Sequence, residues 1–167
     1  MTECAQKIGI MSDSHDNLPA IRAAVDFFNI QQVAMVIHAG DLVAPFTARE
    51  LKKLRSPYEI VLGNNDGEIL GLHQVYAGKV HLPPFKIRFA NKNILVLHDA
   101  GILSEIKQQT SYDMIIYGHD HQSAVDRLPD GTWIVNPGEC GGWLYGESTI
   151  AIYDIQQDQV TIHKLEY

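Results

Sequence analysis

The nine residues DMIIYGHDH, Asp113–His121, join a run of apolar side chains to a polar end with two histidines around a carboxylate. The run is continuous rather than alternating, the pattern of a strand buried on both faces, as in α/β proteins. Four more runs of this kind lie at Lys7–Met11, Val33–Ile37, Tyr58–Leu62 and Asn93–Leu97. A helix is predicted between the first two. Asn17 is its N-cap, and Pro19 sits in the first turn, where a missing N–H costs nothing. Leu18, Ile21, Ala24, Val25 and Phe28 form its apolar face. Pro45 opens a second helix through Leu54, with Ala48, Leu51 and Leu54 inward. The alternation predicts right-handed βαβ units.

The second half reads differently. Phe85–Ala90, Ala124–Leu128, Thr132–Val135, Thr149–Asp154 and Val160–Leu165 have the lengths of hairpin-joined strands, with a turn at Pro129–Gly131 (PDG) and a helix over Ile102–Gln109. Parallel units followed by antiparallel strands predict an α/β fold of two packed mixed β-sheets flanked by helices, a four-layer α/β sandwich. With no internal repeat or long linker, residues 1–167 read as one domain.

The chain is 46% hydrophobic and 20% charged, with a formal charge of −7. Its basic residues are scattered, which argues against long nucleic acid held by phosphate neutralisation. No segment approaches the ~20 apolar residues of a membrane span, and the N-terminus turns polar too early for a secretory signal. Cys4 and Cys140 fit neither a disulfide framework nor a CxxC zinc site, so a reducing cytoplasm is expected.

All five buried runs end in polar clusters: Ser12–Asp16 (SDSHD), His38–Asp41 (HAGD), Gly63–Gly67 (GNNDG), His98-Asp99, and Gly118–His121 (GHDH). Ligands of α/β sheets bind beyond the carboxyl ends of the strands, so these clusters point to one region. Asp, Asn and His supply oxygen and nitrogen donors without thiolate, a set suited to Mn²⁺, Fe, Ni²⁺ or Zn²⁺. A carboxylate can bridge two cations ~3.5–4 Å apart, an arrangement that suits hydrolysis of phosphate esters.

Taken in order, Asp13-Ser14-His15, Gly40-Asp41, Gly63-Asn64, His98 and Gly118-His119-Asp120-His121 resemble the DxH, GD, GN, lone-His and GHxH motifs of calcineurin-like metallophosphoesterases. NPGECGG, Asn136–Gly142, further resembles the NPGS-type segment of the small YfcE-like phosphodiesterases. The resemblance implies that Asp13, His15 and His121 hold one divalent ion and Asn64, His98 and His119 a second. Asp41 bridges both, and Mn²⁺ or Ni²⁺ ranks ahead of Zn²⁺ or Fe. It implies attack by a bridging hydroxide on a small phosphodiester substrate, with Asn65, Asp41 and His98 as catalytic residues. A phosphomonoesterase, or a metal-binding scaffold resembling a retromer subunit, is the alternative, and a homo-oligomer is open.

The chain also departs from the family pattern. Asn65 stands where the family often has a histidine, and an amide is no general acid near neutral pH. His98-Asp99 replaces the family's HGH, so one substrate-side contact is expected to be missing. Asp120 and Glu139 add acids that could orient ligands or repel an anion. Outside the motifs, His38 is expected to orient a neighbour, and Asp16 and Asp66 to steady loops. Cys140, His73, His81 and His163 are expected to serve packing or the surface. Trp133, Trp143 and Tyr145 are open between core and pocket wall.

Overall fold

A computed structural model describes residues 6–106 and 111–167. Among the described residues the strands, in chain order, are β1 Lys7–Met11, β2 Met35–His38, β3 Tyr58–Val61, β4 Val80–His81, β5 Phe85–Phe89, β6 Lys92–Val96, β7 Met114–Ile116, β8 Ala124–Arg127, β9 Trp133–Asn136, β10 Ser148–Asp154 and β11 Gln159–Leu165. They form two sheets, ordered β11-β10-β1-β2-β3-β4 and β5-β6-β7-β9-β8. Both are mixed. β1 through β4 run parallel, with β10 antiparallel beside β1 and β11 antiparallel to β10 at the edge. In the other sheet β6, β7 and β9 run parallel between antiparallel β5 and β8. The boundary between parallel and hairpin strands in the sequence is therefore not the boundary between the sheets. The last hairpin returns to pair with the first strand.

The helices are α1 Leu18–Ile30, α2 Ala48–Leu51, α3 Ile69–Val75 and α4 Leu103–Ile106. α1 starts as the sequence predicts: Asn17 Oδ1 accepts the Ala20 N–H at 3.2 Å. Its buried face is Ala20, Ile21, Ala24, Val25 and Phe28, with Leu18 only partly covered. The second helix is shorter than predicted. A 3₁₀ turn, Pro45–Thr47, precedes α2, and Lys53 N and Leu54 N close single turns onto Glu50 O (2.9 Å) and Leu51 O (3.1 Å). Leu54 still faces the core. The predicted 102–109 helix is a 3₁₀ turn over Ala100–Ile102 continued by α4, and its residues 107–109 lie outside the described residues. So does Cys4.

Three apolar clusters fill three interfaces, as four layers require. Along β1, Ile8 and Ile10 point between the sheets with Val96, Met114, Ile116 and Val135. Met11 points the other way, toward α1. Gly9 lies on that face too, where an added Cβ would sit 2.7 Å from the Phe28 ring. Leu95, Leu97, Ile115, Tyr117 and Ile134 cover the far side of the second sheet against Leu103 of α4. This alternation explains the continuous apolar runs: every position of β7 is buried on one face or the other.

Glu50 of α2 is buried beneath Arg22 and Lys53, whose nitrogens lie 3.0 and 2.6 Å from its oxygens. The Arg22 and Lys53 hydrogen bonds hold its carboxyl down at about 2, against 4.5 ordinarily. A depressed carboxyl stabilises the fold above its unfolded pKa and loses that effect as pH falls toward the folded value. Glu50→Gln is therefore expected to lower the melting temperature by about 2–4 °C at pH 7. The gap from the parent should close between pH 4.5 and about 2. Paired melts across that range check the sign, and a gap that widened with acid would be evidence against it.

Candidate metal centre

The loops after β1, β2, β3, β6 and β7 meet at one end of the two sheets, and backbone bonds lace them together. Asp13 N–H donates to Gly40 O at 2.9 Å and His15 N–H to Asp41 O at 3.0 Å. Within the second sheet, Gly118 N–H donates to His98 O at 2.9 Å, and across the sheets His119 N–H donates to Asp13 Oδ2 at 3.1 Å. Two glycines permit this approach: a Cβ at Gly63 would overlap the Asp41 carboxylate, and one at Gly118 would overlap Ser12 and Asp13. Asp13, His15, Asp41, His119 and His121 all have left-handed backbone, with φ of 51°, 40°, 57°, 76° and 62°. Such conformations cost energy and cluster where function demands a side-chain direction.

The seven side chains singled out in the sequence are brought together. Asp13 Oδ1 lies 3.8 Å from His15 Nε2 and 3.6 Å from His121 Nε2. The His15 and His121 rings stack with centroids 5.0 Å apart. Asn64 Oδ1 lies 3.0 Å from His98 Nε2 and 2.9 Å from His119 Nδ1. Asp41 Oδ2 sits between these groups, 3.6 Å from His15 Nε2 and 3.4 Å from His98 Nε2. Ligand-type atoms of Asp13, His15 and His121, and again of Asp13, Asp41 and His98, lie within 4.8 Å of one another. His119 joins the set through Asn64.

These groups fit cations. Asp13 and Asp41 are buried, and among the described residues neither forms an ion pair with a lysine or arginine. Buried charge of this kind is paired or coordinates metal. His98 Nδ1–H donates to Ala39 O at 2.8 Å. In the neutral ring this leaves the Nε2 lone pair facing the oxygens of Asn64 and Asp41, three acceptors with no proton between them. His15 Nε2 has no hydrogen-bond partner. Burial alone would raise the Asp41 carboxyl, but the bonds from Asn65 and a proton on His98, whose imidazole is raised in turn, hold it well below the usual carboxylate range. The Asp13 carboxylate beside it raises the His15 imidazole, against the effect of its burial. The pocket favours positive charge.

A second ring of residues holds these groups. Asp66 accepts the N–H groups of Asp41 (3.0 Å), Val43 (2.6 Å) and Gly63 (2.7 Å), and Asp16 accepts that of Ala44 (2.9 Å). Buried His38, pushed down to about 4 by its burial, accepts Gly40 N–H on Nδ1. Its Nε2–H therefore donates to Ser14 Oγ at 2.9 Å. Asn65 gives both its donors to Asp41, backbone N–H to Oδ1 (2.8 Å) and Nδ2 to Oδ2 (2.7 Å). Asp120 accepts from Asn136 Nδ2 at 2.6 Å, and exposed Asp99 caps the turn after β6 through Gly101 N–H. Cys140 is fully buried, and its burial pushes the thiol up, as suits packing. A cleft of about 230 Å³ lined by Pro83, Pro84, Leu97 and Ile102 opens beside His98.

The sequence did not disclose the role of Glu139. It is buried, accepts Trp143 N–H at 2.8 Å and Leu144 N–H at 3.0 Å, and sets Oε1 3.1 Å from His121 Nδ1, out of line for a hydrogen bond. It faces the back of His121 rather than the open side of the cluster. The only sequence signal was an acid where the NPGS pattern has serine.

Residues 7–158 match the sequence profile of the calcineurin-like phosphoesterase superfamily domain. A phosphodiesterase of Methanocaldococcus jannaschii is 35% identical over 159 residues, 92% of this chain and 95% of that protein. Vacuolar protein sorting-associated protein 29 of Schizosaccharomyces pombe is 30% identical over 112 residues, 66% of this chain and 58% of that protein. The solved structure of an archaeal phosphodiesterase superposes with a TM-score of 0.90 at 34% identity, over 96% of this chain and 100% of that one. The Escherichia coli phosphoesterase Yfce shares the fold at 16% identity, with a TM-score of 0.73 over 96% and 100% of the two chains. With a family profile running from β1 to the turn before β11, and a relative matched along nearly its whole length, this chain belongs to the calcineurin-like phosphoesterase superfamily.

Proposed function

We propose that this protein is a metal-dependent phosphodiesterase acting on a small phosphodiester, built as one domain. Asp13, His15 and His121 hold one divalent cation, Asn64, His98 and His119 hold a second, and Asp41 gives oxygen to both. The observation that supports this most directly is the position of Asp41 Oδ2, 3.6 Å from His15 Nε2 and 3.4 Å from His98 Nε2, between the two donor sets. The similarity to an archaeal phosphodiesterase supports the choice of a diester. When bound, two such cations neutralise the phosphodiester charge and make water a nucleophile near neutral pH. Nitrogen and oxygen donors favour Mn²⁺, Ni²⁺, Zn²⁺ or Fe over thiolate-loving ions.

The chain's own residues fix the donors. Ala39 O sets the tautomer and ring direction of His98, and Asp66 sets the loop that carries Asp41. Asn65, with both donors on Asp41, orients that carboxylate and offers no proton to a departing alkoxide. Diesters of acidic alcohols are therefore the better substrates. The overall charge of −7 and the scattered basic residues suit a short substrate rather than long nucleic acid. No helix among the described residues is long and apolar enough to cross a membrane. A buried free thiol at Cys140 suits the reducing cytoplasm.

The test is hydrolysis of bis(4-nitrophenyl) phosphate beside 4-nitrophenyl phosphate. Metal-stripped protein is reloaded with Mn²⁺, Ni²⁺ or Zn²⁺. We expect diester cleavage to exceed monoester cleavage and to vanish on stripping. Reloading should raise the melting temperature by several degrees, because ions that bind only the folded state stabilise it by mass action. Preferred monoester cleavage would make the protein a phosphomonoesterase. Two bound ions per chain with no turnover would replace the enzyme with a metal-binding scaffold.

A further inference from the structure

Three consecutive apolar side chains, Trp143, Leu144 and Tyr145, are 63%, 65% and 58% exposed beside the metal ligands. Scattered exposed hydrophobics are ordinary, whereas a contiguous group at the rim of a site marks a contact surface. The segment is held in place, not loose. Glycines with left-handed backbone bracket it, Gly142 at φ 67° and Gly146 at φ 71°. Buried Glu139 grips the backbone of Trp143 and Leu144 through one carboxylate while facing His121 with the same group.

Both aromatic side chains are tied to the loops that carry the cluster. The indole N–H of Trp143 donates to His15 O at 3.2 Å, and its ring edge lies over Gly141, where an added Cβ would stand 3.0 Å from Trp143 Cδ1. Gln122, next to His121, donates through Nε2 to Tyr145 OH at 3.4 Å. The rings thus stand at the mouth of the pocket on the side of Asp13, His15 and His121. A phosphodiester anchored at those residues carries two organic groups, and this wall lies within reach of one of them, as the cleft beside His98 lies within reach of the other.

We propose that Trp143 and Tyr145 are specificity residues. They form an apolar wall that receives a flat aromatic ester group of the phosphodiester. This rests on the phosphodiesterase reading and names its substrate class: diesters bearing an aryl group or a nucleobase. Such rings bind by stacking and need no charged partner, in keeping with two exposed aromatic side chains.

The test uses metal-loaded protein and three methylphosphonate monoesters of equal charge, bearing methyl, phenyl or thymidine 5′ groups, titrated by calorimetry. The parent is expected to bind at least one aromatic ester about tenfold more tightly than the methyl ester, the order one aromatic stack supplies. Trp143→Ala should erase most of that preference, Tyr145→Ala part of it, and Trp143→Phe should retain it. In turnover of bis(4-nitrophenyl) phosphate, Trp143→Ala should raise KM about tenfold and change kcat less than about twofold. A preference confined to thymidine identifies a nucleobase, and one shared with phenyl identifies aromatic rings in general. Equal affinity for all three esters in the parent overturns the proposal. So does a Trp143→Ala variant that weakens all three alike, or one that only breaks a dimer in sedimentation. Turnover without aromatic preference would remove the wall and leave the phosphodiesterase. Aromatic preference without turnover of any ester would do the reverse.

Discussion

Asp41→Asn is expected to remove metal-dependent diester hydrolysis, lowering kcat/KM by at least about 10³, the size of several kcal/mol of lost charge stabilisation. The substitution keeps the shape of the side chain and takes away its charge and one of its two acceptor oxygens. In the parent, Oδ2 faces His15 Nε2 at 3.6 Å and His98 Nε2 at 3.4 Å, while Asn65 donates to both oxygens. An amide at position 41 would turn an N–H₂ toward either Asn65 or the histidine pair. It can serve one cation with a neutral oxygen and cannot serve two. Metal content should fall from two ions per chain toward one, measured by elemental analysis after gel filtration. Circular dichroism should show the fold retained, since Asp66 keeps its three backbone bonds across these loops. Asn65→Ala leaves the carboxylate charged and frees only its direction, so a loss of about tenfold is expected. An Asp41→Asn protein that kept two ions and activity within tenfold of the parent would remove the bridging role.

What the sequence made legible follows from where the information sits. β1 and β7 announce themselves because each is covered on two faces, so Ile8 to Met11 and all of β7 carry no polar side chain. The start of α1 is written in Asn17 and Pro19, two residues whose chemistry acts within one turn. α3 carries no such mark: Ile69 and Leu70 are 48% and 87% exposed, and only Leu72 within it is buried. β4 is too short, at two residues, to show a period. Sheet membership was hidden for another reason, since the pairing of β10 with β1 joins residues more than a hundred positions apart. The same limit applies at the metal centre. The donor types and their strand-end positions were readable because parallel strands all deliver their carboxyl ends to one side. The direction of Asn65 toward Asp41 and the place of Glu139 behind His121 each depend on another loop of the chain.

Asp66→Ala should be the most destabilising of these substitutions, and it separates a turn residue from a structural anchor. GNNDG read in isolation is a turn, and a turn aspartate can be replaced at small cost. In the fold, Asp66 is 4% exposed and accepts N–H groups from Gly63 on its own loop and from Asp41 and Val43 on the neighbouring one. Alanine would leave these donors unsatisfied, at ~1–3 kcal/mol for each that water cannot reach. Asp41 and Val43 also hold left-handed backbone, φ 57° and 86°, which is unfavourable for both and above all for a β-branched valine. Without the carboxylate, three of the bonds that offset that strain are lost, and the loop should relax away from the cluster. We expect a loss of about 3–5 kcal/mol, read as a fall of roughly 8–15 °C in melting temperature. Metal affinity should weaken at least about tenfold, as for residues that hold a ligand in place. Asp66→Asn retains one acceptor oxygen and should fall between parent and alanine in both measurements. A melting temperature for Asp66→Ala within about 2 °C of the parent would return Asp66 to the role of an ordinary turn residue. The position of Asp41 would then have to be held by Asn65 and the backbone bond to His15 alone.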